Sequence, residues 1–184
     1  MRRFCLCSLC LVLWLAAALA QDCKKTEYNA DHQKYMETAL QQFSSCQPMT
    51  DATCRAALAQ AVDHVYGVKD FGGSPRYLTP AEIAKKVKDD AGWEHLGSAS
   101  DQEALKKAAS GAACGQAVLA VMASDTGGHV SMILPGALTH SNGWNLEVPS
   151  SASFFVNKPG KSFAGKPLSY SFTSPQGVEL YAKK

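Results

Sequence analysis

The chain has 184 residues, 46% of them hydrophobic and 18% charged, with a formal net charge of +2. Arg2 and Arg3 account for that surplus, so the remainder is balanced and lacks the basic excess that a nucleic-acid partner calls for. The length suits one domain with a real core.

The first residues read as an address. Arg2 and Arg3 form a basic start, Leu6 to Leu19 is an apolar run, and Ala18-Leu19-Ala20 fits a small-x-small cleavage site. The run is shorter than a membrane-spanning helix needs. Residues 1–20 are therefore expected to be a signal peptide and 21–184 a single domain, secreted or periplasmic, without a stable membrane anchor. No Leu-x-x-Cys step for lipid attachment sits at the cleavage point.

Of seven cysteines, Cys5, Cys7 and Cys10 leave with the leader, and Cys23, Cys46, Cys54 and Cys114 enter an oxidising compartment. Four cysteines allow three full pairings. If Cys54 works as a thiolate it must stay unpaired, which makes Cys23–Cys46 the natural bridge and leaves Cys114 as a buried thiol. The alternative is two structural disulfides that use all four.

Asp31 can cap a helix that places Tyr35, Met36, Leu40 and Phe43 on one face. Cys54, Ala57, Leu58, Ala61, Val62, Val65 and Tyr66 follow the i, i+3, i+4, i+7 template of a long amphipathic helix, capped by Thr50 or Thr53 and stopped by Gly67. Thr79-Pro80-Ala81-Glu82 combines a capping box with proline at the first helical position. Ser100 to Glu103 repeats the capping pattern before Leu105 and Ala109.

Strand character takes over after Gly111. The expected strands are Ala117 to Ala123, His129 to Leu134, Trp144 to Val148, Leu168 to Phe172 and Val178 to Tyr181, with a turn at Asp125 to Gly128. Ser150 to Pro167 reads as a long surface connection that could line a groove. Helices followed by a strand meander imply an α+β fold, with the helices on one face of an antiparallel sheet.

Two residues could carry chemistry. Cys54 near a helix start would feel unpaired amides and the positive end of the dipole, both of which favour the thiolate. It also lies on the apolar stripe, where a cysteine is ordinarily a small buried hydrophobe. His129 follows Gly127-Gly128 and points away from Val130, Met132 and Leu134 along its strand.

The run from Cys54 to Gly67, followed by Gly128-His129-Val130-Ser131-Met132-Ile133-Leu134-Pro135-Gly136, resembles the papain-like NlpC and CHAP superfamily of cell-wall peptidases and amidases. The resemblance spans roughly Ala52 to Val148. It departs from the family at Arg55-Ala56-Ala57, where a small residue and an aromatic are usual. It implies a papain-like fold in which N-terminal helices pack on a C-terminal antiparallel sheet. It also implies a hydrolase acting on peptidoglycan or a peptide: Cys54 attacks an amide carbonyl, and His129 moves the proton. The chain is expected to be a monomer. A third residue would orient the imidazole. Asn145 or Glu147, on the next strand, is favoured over His140 in the turn.

His32, His64, His95 and His140 show no metal-ligand spacing, and no phosphate loop or dinucleotide fingerprint is present, so neither metal nor cofactor is expected. The rival reading is a non-catalytic binding or inhibitory module on the same frame, with Cys54 locked in a disulfide.

Overall fold

The computed structural model describes residues 23, 28–47, 51–73, 76–123 and 128–184. The leader, Thr50 and the Asp125 to Gly127 part of the expected turn lie outside the described residues.

The first helix, α1 (Ala30–Ser44), starts two residues earlier than a cap at Asp31 would place it. Asn29 is its cap, accepting from the His32 amide at 2.9 Å, and Asp31 falls inside the first turn. Met36 and Phe43 supply its buried face. The amphipathic helix expected from Cys54 onward is interrupted at Ala56, giving a four-residue turn α2 (Ala52–Arg55) and then α3 (Ala57–Tyr66). Gly67 ends α3 in the left-handed region at φ 67°, its N–H returning to the Asp63 carbonyl. The helix α4 (Pro80–Asp89) has the full capping box: Thr79 accepts from the Glu82 amide, and Glu82 accepts from the Thr79 amide.

Two short strands, β1 (Gly72–Gly73) and β2 (Arg76–Tyr77), form a hairpin before α4. Then come β3 (Trp93–Ser98), the helix α5 (Gln102–Ala113) capped by Asp101, β4 (Val118–Met122) and β5 (His129–Ile133). A second hairpin joins β6 (Thr139–Ser141) and β7 (Leu146–Val148). The chain finishes with β8 (Ser150–Ser153), β9 (Phe163–Pro167) and β10 (Val178–Lys183).

The main sheet has six strands in the order β3-β10-β4-β5-β8-β9, every pairing antiparallel. The fold is α+β, with four departures from the expected arrangement. The sheet recruits β3 from the helical half, where Trp93 to Ser98 pairs with the C-terminal strand. The stretch Ser150 to Pro167, expected as a surface connection, supplies β8 and β9. Leu168 to Tyr170 is a 3₁₀ turn rather than a strand, because the Ser171 amide bonds back to the Leu168 carbonyl at 2.9 Å.

A fourth departure corrects the expected placement of the helices on one face: both faces of the sheet are covered, α5 lying opposite α1, α3 and α4. On one, Leu119, Val121, Val130, Met132, Ala152 and Tyr181 meet α1, α3 and α4 through Met36, Phe43, Leu58, Val62 and Ile83. On the other, Val118, Ala120, Ile133, Leu180 and Ala182 meet α5 through Leu105, Ala108 and Ala112, together with Trp144, Leu168 and Phe172. The period of two along each strand sorts neighbouring residues into different cores.

Candidate functional site

Cys54 lies in the first core at 6% exposure, and its Sγ is bonded to Cys46 Sγ, with Cα atoms 6.2 Å apart. The second bridge joins Cys23 to Cys114, so all four cysteines are paired and the expected Cys23–Cys46 bridge is replaced. The reason is local: Cys46 follows the end of α1 and Cys54 lies in α2, only eight residues further along the chain. Cys23–Cys114 instead ties the segment before α1 to the C-cap of α5.

His129 is on the other side of the sheet. Its ring stacks on Phe155 at 4.6 Å between centroids and meets Phe172, a second-core residue, edge-on at 5.2 Å. Cys54 packs in the core of Val130 and Met132, which alternate with His129 along β5 and so face away from it. The structure does not bring the expected pair together.

What His129 reaches is a set of hydroxyls. Its Nε2 is 3.3 Å from Ser153 Oγ, which donates to Ser171 Oγ at 2.7 Å and lies 2.9 Å from Ser131 Oγ. Ser151 joins through Ser171 and donates to the Lys166 carbonyl. Ser131, Ser151 and Ser153 are fully buried, so these hydroxyls satisfy one another where water does not reach. Burial lowers the His129 imidazole to about 4, leaving it neutral at ordinary pH.

The candidates for the third residue also lie elsewhere. Asn145 sits in the β6–β7 turn at φ 55°, a left-handed position that asparagine tolerates. Glu147 is on β7 and accepts from His140 Nδ1 at 3.0 Å across the hairpin. The strand that carries Glu147 pairs with β6 rather than β5, in the register Thr139–Val148, His140–Glu147 and Ser141–Leu146. Among the described residues His129 meets Ser153, Phe155 and Phe172 rather than either of them, and β8 takes the place beside β5.

One cluster has metal-ligand character: atoms of Cys46, Asp51 and Cys54 lie within 4.8 Å of one another. The two sulfurs are bonded to each other, so neither is a thiolate that could hold an ion. The disulfide instead forms a wall of a cavity of about 330 Å³ between α1 and α3, lined also by Tyr35, Thr38, Phe43 and Gln60.

A larger groove of about 600 Å³ opens over the serine cluster. Phe155, Phe163 and Tyr170 line it with Lys158, Lys161 and Lys166, and Ser171 and Phe172 are at its inner side. Only its general position was readable in advance, from the Gly/Ser/Pro-rich stretch. The stronger signal was the absence of any acidic residue between Glu147 and Glu179, where three lysines alternate with aromatics.

Two disulfides fit an extracellular protein, and among the described residues no helix is long and apolar enough to cross a membrane. No family model matches the chain, and no curated protein matches it.

Proposed function

We propose that the chain is an exported, non-catalytic binding module built on a papain-like frame and stapled by two disulfides. The observation that carries this reading is the bond between Cys54 and Cys46, since a sulfur in a disulfide cannot serve as the attacking thiolate. The placement of His129 on the opposite sheet face supports it further, as no hydrogen bond from imidazole to thiol can form there. Such a module keeps the layered helices and sheet and uses its surface grooves for recognition.

Thiol counting on the mature protein, denatured without reductant, tests the reading. No free thiol is expected, and incubation with peptidoglycan sacculi should release no muropeptides. A free, alkylatable Cys54, together with muropeptide release that Cys54→Ala abolishes, would restore the cysteine hydrolase acting on peptidoglycan or a peptide.

A further inference from the structure

We infer that the groove between Phe155 and Thr173 is a binding site for an acidic polysaccharide, a glycan strand whose sugar rings carry carboxylates. The inference deepens the non-catalytic reading by naming the ligand class, and it stands on four observations.

The first is charge. Lys158, Lys161 and Lys166 are exposed and line the groove, whose lining includes no acidic residue. None of the three forms an ion pair among the described residues, a state they share with Lys34, Lys88, Lys107 and Lys184, but here the three lie together around one groove. Three ammonium groups in one concavity without an acidic residue are complementary to an anion.

The second is the aromatic surface. Tyr170 is 64% exposed, and it is the one large hydrophobic residue that stands out from the surface among the described residues. Its ring meets Phe163 edge-on, and Lys166 Nζ sits 5.4 Å from the Phe163 centroid and 5.6 Å from that of Tyr170. A flat face beside a cation suits a ring bearing a negative substituent: the apolar side of a sugar on the tyrosine, its carboxylate toward the lysine.

The third is rigidity. The loop that carries Lys158 and Lys161 is closed by bonds from the Phe155 amide to Ser162 Oγ at 2.9 Å and from the Lys158 amide to the Phe155 carbonyl at 3.0 Å. The 3₁₀ turn Pro159–Lys161 fixes it further. Behind it, Phe155 is held by its stack on His129, so the groove is formed before a ligand arrives.

The fourth separates sugar from peptide. An acidic peptide would bind at this groove most simply by adding a strand to β9, the edge strand that lines it. That edge is blunted: Gly165 is at φ 79°, and Lys166 and Pro167 follow it. The groove thus offers ring faces, hydroxyls of Ser169 and Thr173 and cations, but a poor template for backbone pairing.

Fluorescence anisotropy on the full mature chain tests this with four labelled probes: an oligogalacturonate, its methyl ester, oligo-glutamate and a single-stranded oligonucleotide. Only the free-acid oligosaccharide should bind well, and Tyr170→Ala and Lys166→Gln should each weaken it at least tenfold. Both side chains are exposed, so circular dichroism should show the fold retained; Lys158→Gln with Lys161→Gln provides an independent pair that should weaken binding similarly. No binding of the acidic oligosaccharide overturns the proposal. So does equal binding of its ester, of oligo-glutamate or of the oligonucleotide, or indifference to all these substitutions. Muropeptide release from sacculi would sink the non-catalytic reading without touching this outcome, and loss of saccharide binding would leave the thiol count as it is.

Discussion

Cys54 and Val130 share one core, and Val130 is the residue next to His129 on β5. A strand alternates its side chains, so a sulfur buried in the core that holds Val130 is separated from the imidazole by the thickness of the sheet. The cysteine's place on the apolar stripe of its helix and the parity of β5 together determine this. A sulfur buried on that stripe lies on the valine's side of the sheet, not the histidine's.

Bonded to Cys46, that sulfur becomes part of the framework, and the two bridges should differ in what they contribute. Cys46–Cys54 closes a separation of eight residues and Cys23–Cys114 one of 91. If each acts mainly by restricting the unfolded chain, replacing the first pair with alanines should cost about 2–3 kcal/mol and the second about 4–5 kcal/mol. Urea unfolding of the two double variants measures both. A larger loss for the short bridge would mean that packing at the α1–α3 cavity, rather than chain entropy, dominates.

His129 should make stability depend on pH. Its folded pKa lies near 4 because the ring is buried against Phe155, Phe172 and Ser153 without a charged partner. The unfolded chain takes up that proton near pH 6.5. Between the two values the unfolded state binds more protons, so stability is full above about 6.5, falls as the pH drops toward 4 and levels off below it. The loss is about 3 kcal/mol across the window. His129→Gln removes the titration, so the difference between the wild-type and variant unfolding curves should carry this slope. A difference that stays flat from pH 7 to 4 would mean the ring is solvated.

Local signals carried through where one residue decides a local geometry. Thr79-Pro80-Ala81-Glu82 and Gly67 are such places: each marks a helix end by its own backbone chemistry. The strands β4 and β5 were legible because Val118 to Met122 and Val130 to Leu134 are apolar and short. Ser150 to Ser153 was not, since serines have little strand preference in isolation. They become a strand because their hydroxyls meet those of Ser131 and Ser171 across the sheet, a contact that exists only after folding. The same limit applied to the site. A pattern of Cys then His describes order along the chain, whereas the pairing of cysteines and the face on which His129 lies depend on which strands become neighbours.

The capping box of α4 offers a direct measure of a local contribution. Thr79 satisfies the Glu82 amide, and Glu82 reaches back to the Thr79 amide at 2.8 Å. Thr79→Ala should lower stability by about 1 kcal/mol, with Thr79→Ser restoring most of it. Chemical denaturation of the pair checks both values; an alanine variant as stable as the serine variant would place the support for this helix start in tertiary packing.

The β1–β2 hairpin permits a sharper contrast between adjacent glycines. Gly72 is at φ 97°, and a Cβ there would stand 2.4 Å from the Arg76 carbonyl oxygen, a backbone atom that cannot swing aside. Gly73 has nothing within 4 Å of a Cβ. Opening the hairpin would also disturb the bond from the Leu78 amide to the Phe71 carbonyl at 2.9 Å, and Phe71 is stacked on Trp93 in the first core. Gly72→Ala should therefore cost about 2 kcal/mol or more, combining backbone strain with the clash. Gly73→Ala should change stability by about 0.5 kcal/mol or less. Thermal unfolding of the two variants side by side reads the difference, and near-equal midpoints would show that the turn rearranges without loss to the core beneath it.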